Sequence, residues 1–216
     1  MKKLILASLL ALSLTPLTGC APLVVAGVGA GAVMADDRRS SGTYLVDQEI
    51  ELKAASRIRE NFGEKTHVNA TSFNRRVLLT GETPDAATRA KVEELVRATP
   101  NVGDVQNEVI IGEDSGFTAR SNDGYITAKV KTRFLDDKRF SANHIKVVTE
   151  RAIVHLMGIV SEREAKVAIA VARTTSGVSK VVNVMEIVGD DETRRIDNQT
   201  LGARTPPPAQ APVENR

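Results

Sequence analysis

DQEIELKAASRI, residues 47–58, and DGYITAKVKTRF, residues 123–134, are one pattern written twice, 76 positions apart. Asp47 lies over Asp123, Ile50 over Ile126, Ala54 over Val130 and Ile58 over Phe134. Apolar positions spaced by four share one side of a helix, so each copy predicts an amphipathic helix with a core stripe. The match continues downstream. VNATSFNRRVLLTG (68–81) lies over IKVVTERAIVHLMG (145–158) at an offset of 77, and VRATPNVGDVQNEVII (96–111) over ARTTSGVSKVVNVMEI (172–187) at 76 again. The chain is a tandem duplication of a unit of about 65 residues.

Each unit predicts the same order of elements. The helix is followed by two alternating stretches, HVNATSF and RRVLLTG in the first unit, HIKVVTE and AIVHLMG in the second. A tight turn at FNRR or TERA would close them into a hairpin whose second strand ends at Gly81 or Gly158. PDAATRAKVEELVRATP and SEREAKVAIAVARTTSG then read as helices, with Pro84 or Ser161 near the start. A valine-rich strand, VGDVQNEVII or VSKVVNVMEIV, closes the unit. The expected class is α+β: helix, strand, strand, helix, strand, with two helices on a three-stranded sheet. The domains are set at 47–111 and 123–188, the linker at 112–122, and a disordered, proline-bearing tail at 189–216.

The N-terminus has a different logic. Lys2 and Lys3 precede the apolar run LILASLLALSL, so residues 1–19 read as a signal peptide. LTGC, Leu17 to Cys20, resembles the lipobox of bacterial lipoproteins and contains the chain's single cysteine. That resemblance implies a covalent lipid on Cys20, and Ala21 after it implies the outer membrane, facing the periplasm. Residues 21–35, APLVVAGVGAGAVMA, are uncharged and too short to span a bilayer. With the residues up to 46 they read as a flexible tether reaching roughly 28 Å.

The folded units carry the second resemblance. Gly-x-Thr/Val, a helix, and then a strand with Gly177, Val178, Val181 and Asn183 (Val102, Val105 and Asn107 in the first unit) resemble the BON domain. Two such units behind a lipobox and a glycine-rich tether are similar to the dual-BON-domain outer-membrane lipoproteins of the DolP type. Asn101 departs from that family's pattern, which has glycine there, and Thr83 stands where it has valine.

Composition narrows the chemistry. Aromatic residues make up 3% of the chain and tryptophan is absent, so both cores must be aliphatic. The histidines are His67, His144 and His155; the first two fall in different units, and no pair has helical ligand spacing. No phosphate-binding glycine loop precedes a helix and no nucleophile elbow is present. The expectation is a protein without catalytic residues, without a metal and with no cofactor beyond the lipid on Cys20. Residues 47–111 hold nine Lys/Arg against eleven Asp/Glu, and residues 123–188 eleven against seven. Nucleic acid does not suit the basic unit, which lacks interleaved aromatics.

The duplication acts as an internal control on surface residues. Tyr125 lies over Glu49, Lys131 over Ala55 and Leu135 over Arg59. The first helix thus reads as solvated on its outer face, whereas the second sets a tyrosine and a leucine among cations. Tyr125, Ala128, Lys129, Lys131, Thr132, Leu135 and Arg139 form the candidate phospholipid-binding face, since a tyrosine suits the headgroup layer and lysines an anionic surface. The family resemblance implies the same helix as an anionic-phospholipid surface. A different reading packs Tyr125 and Leu135 against the other domain. The expected function is an outer-membrane lipoprotein that binds anionic phospholipid and supports envelope integrity. The alternative is a periplasmic module docking onto outer-membrane assembly proteins.

Overall fold

The computed structural model describes residues 37–63 and 66–202. The signal peptide, Cys20, the tether up to residue 36 and the tail after 202 lie outside the described residues. Within them the order is α1 (Ser41–Phe62), β1 (His67–Phe73), β2 (Arg76–Thr83), α2 (Ala86–Arg97), β3 (Asp104–Asn107) and β4 (Ile110–Ile111). The second unit follows as α3 (Phe117–Asp136), a short 3₁₀ turn at Ala142–His144, β5 (Ile145–Glu150), β6 (Ile153–Ser161), α4 (Glu162–Arg173), β7 (Lys180–Asn183) and β8 (Glu186–Val188). A last helix, α5 (Asp190–Gly202), ends the described chain. Both units are α+β, as their sequence pattern requires.

In each sheet the second strand is central. β2 pairs antiparallel with β1 and parallel with β3 and β4; β6 does the same with β5, β7 and β8. What reads in sequence as one closing strand is two short ones with a break between them. Asn107 and Asn183 make the break: each side-chain oxygen accepts from the backbone N–H two residues on, Val109 at 3.1 Å and Met185 at 3.0 Å. The intervening Glu108 and Val184 still donate to the central strand, at Leu79 and Leu156. The offset turns Val109 and Met185 into the two cores, which is the physical reason for an asparagine at that place in both copies.

The hairpins are pinned by the helices. Asn74 and Arg75, and likewise Arg151 and Ala152, have φ between 49° and 63°, the type I′ pattern, without a glycine. Buried Asp47 on α1 accepts from the N–H of Asn74 (2.8 Å) and Arg75 (2.7 Å). Asp123 on α3 accepts from Arg151 (2.9 Å) and Ala152 (2.8 Å). Gly81 and Gly158 do not end their strands but sit inside them. A Cβ there would stand 1.9 Å from the carbonyl oxygen of His67 and 2.3 Å from that of His144. Asn101 and Gly177, the departure noted above, share a left-handed backbone at φ 70° and 94°, which asparagine tolerates.

Alternation along the central strands separates two kinds of core. Val77 and Leu79 face α1 and α2, and Val154, Leu156 and Val160 face α3 and α4. Phe134 meets Phe140 edge-on at 5.1 Å in the second core. The other faces carry Leu78 with Phe73, and Met157 and Ile159 with Val184; these form a third cluster that joins the two domains. Each fully buried aliphatic side chain contributes about 1.5–3 kcal/mol, so this joint is substantial. Lys146 to Glu51 (2.7 Å), Asn74 to Glu186 (2.9 Å) and Arg151 to Glu82 (2.5 Å) ring it with polar contacts.

Three sequence boundaries are corrected. α1 and α3 start at Ser41 and Phe117, so the helix pair, too, is offset by 76 and the tether and the linker each lose their last six residues to a helix. The tail is not disordered from 189, because α5 runs to Gly202 and Ile196 packs on the interdomain cluster. The tether's last residues are fixed as well. Arg38 is buried and clamps Glu164 (2.7 and 3.0 Å) and Asp197 (2.7 and 2.9 Å) while donating to the Ile159 carbonyl. Arg39 lies 4.0 Å over the Phe73 ring and pairs with Asp37 and Asp47.

Candidate membrane interface

α3 buries Asp123, Ile126, Val130 and Phe134. Its opposite side, at 100° per residue, carries Phe117, Ser121, Gly124, Tyr125, Ala128, Thr132 and Leu135, all exposed. Tyr125 is 64% exposed, Leu135 70% and Phe117 80%. Tyr125 and Leu135 therefore do not pack on the other domain. Phe117 was missed in sequence because it falls in the stretch read as linker; eighteen residues, or five full turns, set it in line with Leu135. The three residues mark a stripe about 27 Å long.

The cations around the stripe are not equivalent. Lys129 is half-buried, its ammonium 4.6 Å from the Tyr125 ring centroid and bonded to the Ser176 carbonyl. It stiffens the tyrosine and holds a positive charge beside it. Lys131 is exposed and makes no ion pair among the described residues. Arg139 is spent locally: it grips Asp137 in a bidentate pair, whose hydrogen bond holds that carboxyl down at about 2. As a source of free positive potential Arg139 is the weakest member of the proposed set. Thr132 turns its hydroxyl back to the Ala128 carbonyl at 3.0 Å, so it offers bulk more than a free donor.

The matching face of α1 differs in kind but is not bland. Leu45 and Leu52, seven residues apart, are 66% and 73% exposed, contrary to the solvated face expected there. Glu49 and Lys53 pair beside them. No described helix is long and apolar enough to cross a membrane.

The histidines sit as follows. His144 is buried 3.9 Å from Glu164, whose carboxyl is raised by burial but drawn well below the usual range overall by His144, Arg38 and the Ser161 N–H. His155 is buried in β6, and desolvation lowers its pKa. Among the described residues His67 meets two acids at once: a ring nitrogen of His67 and carboxylate oxygens of Glu82 and Asp114 lie within 4.8 Å of one another. Register explains the first two, since His67 faces Glu82 across the β1–β2 ladder.

Comparisons with known proteins agree with this architecture. The BON domain family matches residues 47–113 and 122–189. The chain is 33% identical over 172 residues to the outer membrane lipoprotein DolP of Haemophilus influenzae, covering 79% of this chain and 89% of that protein. It is 32% identical over 154 residues to a 21 kDa hemolysin of Actinobacillus pleuropneumoniae, covering 70% and 79%. Among solved structures, CdsD, a structural protein of the type III secretion system of Chlamydia trachomatis, aligns over 76% of this chain and 99% of its own at 12% identity. Its TM-score of 0.28 is too low to bear on fold or function.

Proposed function

Because the chain belongs to the BON-domain family, among the dual-BON outer-membrane lipoproteins, we propose that it is anchored through lipid on Cys20 and reads anionic phospholipid with α3, facing the periplasm and supporting envelope integrity. The observation that carries the reading is the exposure of Tyr125 and Leu135 on a helix whose other side is fully committed to the core. Phe117 extends the face along the helix, and Lys129 and Lys131 flank it. Each cation near an anionic surface contributes about 1 kcal/mol, which is weak alone. An acyl anchor makes the second contact intramolecular and so raises its effective strength.

The test is flotation of residues 36–216 with phosphatidylglycerol-containing and purely zwitterionic vesicles. Binding should be selective for the anionic vesicles, fall in high salt, and drop at least tenfold in Tyr125→Glu/Leu135→Glu. Both positions are exposed, so circular dichroism should be unchanged. Absence of binding by the unmutated protein would refute the reading. It would favour the second one, docking onto outer-membrane assembly proteins, for which the exposed Leu45 and Leu52 of α1 are the supporting feature.

A further inference from the structure

We propose that His67, Glu82 and Asp114 form a divalent-cation site of zinc type at the junction of the first domain and the linker. Their ligand atoms lie within 4.8 Å of one another, a spread that a small shift of the exposed Asp114 side chain would close around one ion. Glu82 supplies the independent sign. Its side chain is 1% exposed, one oxygen takes the Arg151 Nε–H, and the other, Oε2, is buried with no hydrogen-bond partner. An unpaired carboxylate oxygen in such a place is costly unless something positive meets it. Thr66 and Ser115, the chain neighbours of His67 and Asp114, also leave buried hydroxyls unpartnered.

Charge points the same way. Glu82 and Asp114 lie at the cluster with Glu150 close enough to feel Glu82, against the guanidinium groups of Arg151 and Arg120. Arg120 stands 3.3 Å from the His67 Nδ1 and 3.9 Å from Asp114. A cation bound to His67 and Asp114 must displace it, so Arg120 is the internal competitor. An imidazole nitrogen with two carboxylates suits zinc better than calcium or magnesium, which prefer all-oxygen sets.

The experiment is calorimetric titration of Zn²⁺ into the untagged, lipidated full chain in detergent micelles, with Ca²⁺ in parallel. One Zn²⁺ per chain should bind, and Ca²⁺ should bind at least tenfold more weakly. His67→Ala and Asp114→Asn should each weaken Zn²⁺ binding at least tenfold, and Arg120→Ala should tighten it. Should His67→Ala unfold, Asp114→Asn decides, because that side chain is 60% exposed. No Zn²⁺ uptake, uptake indifferent to both ligand substitutions, or equal affinity for Ca²⁺ would overturn the site. Unchanged affinity in Arg120→Ala would overturn the exchange with arginine.

Discussion

Arg38→Ala should loosen the last helix and destabilise the second domain by about 3–4 kcal/mol. The guanidinium joins three places remote in sequence: Glu164 at the start of α4, the Ile159 carbonyl in β6 and Asp197 in α5. The Asp197 side chain is one-third exposed, so water would replace most of what it loses, at a cost of about 0.5–1 kcal/mol. Glu164 is different. It is 11% exposed and would keep only the Ser161 N–H at 2.8 Å and His144. Breaking a buried pair from one side costs about 3–5 kcal/mol; the two surviving partners put this case at the lower end. The melting temperature should fall by roughly 6–15 °C for a chain of this size. Hydrogen exchange of α5 should rise with it, since the tie from Asp197 to Arg38 is lost while the packing of Ile196 on the interdomain cluster remains. Arg38→Lys should fall between, keeping the charge but not the paired geometry. The pH dependence follows from the depressed Glu164 carboxyl: its stabilising share is present above about pH 4.5 and is lost as pH falls below that, so the mutant should show a shallower acid slope. A loss below 1 kcal/mol with α5 exchange unchanged would refute the reasoning.

Three further outcomes follow from single contacts. Asp123→Ala should cost about 2–4 kcal/mol by leaving the Arg151 and Ala152 N–H groups without their acceptor, read by urea unfolding. Gly158→Ala should destabilise by at least ~2 kcal/mol, because its Cβ would meet the His144 carbonyl at 2.3 Å, whereas Gly124→Ala, opening onto free space in a helix, should stabilise by about 0.5–1 kcal/mol. Burial, with Glu82 and Asp123 nearby, pushes the Glu150 carboxyl up to about 7. The folded state then keeps a proton that the unfolded chain releases near its ordinary 4.5, so stability falls as pH rises between those values. In chelator-containing buffer Glu150→Gln should flatten that slope and be more stable near pH 8 by about 1–2 kcal/mol, after discounting for solvent screening.

What was legible in the sequence was what repeats locally. The core stripes, hairpins, capping serine and alternating strands are short-range patterns, and two copies at one offset turn each into evidence for the other. Even the asparagine that breaks the closing strand is visible as a letter, though its role needs the geometry at Val109 and Met185. What stayed hidden depends on partners far along the chain. DDRR reads as part of the flexible tether until Arg38 finds Glu164 and Asp197, 126 and 159 positions away. DDETRRIDNQTLG lacks an apolar stripe, so nothing local separates it from a disordered tail; three acids in its first turn were the one signal of a helix start. The exposed face fared in between. Tyr125 and Leu135 stood out because their counterparts are charged, but Phe117 did not, since SGTYLV (41–46) and FTARSN (117–122) share no residue at that offset and the likeness of the copies starts only at Asp47 and Asp123. The duplicated template thus separates two kinds of residue. Where the copies agree, as at Asp47 and Asp123 or Gly81 and Gly158, a backbone group demands the side chain or its absence. Where they disagree on an outer face, as at Glu49 and Tyr125 or Arg59 and Leu135, no packing among the described residues accounts for the difference, and that is the difference the proposed phospholipid contact of α3 would explain.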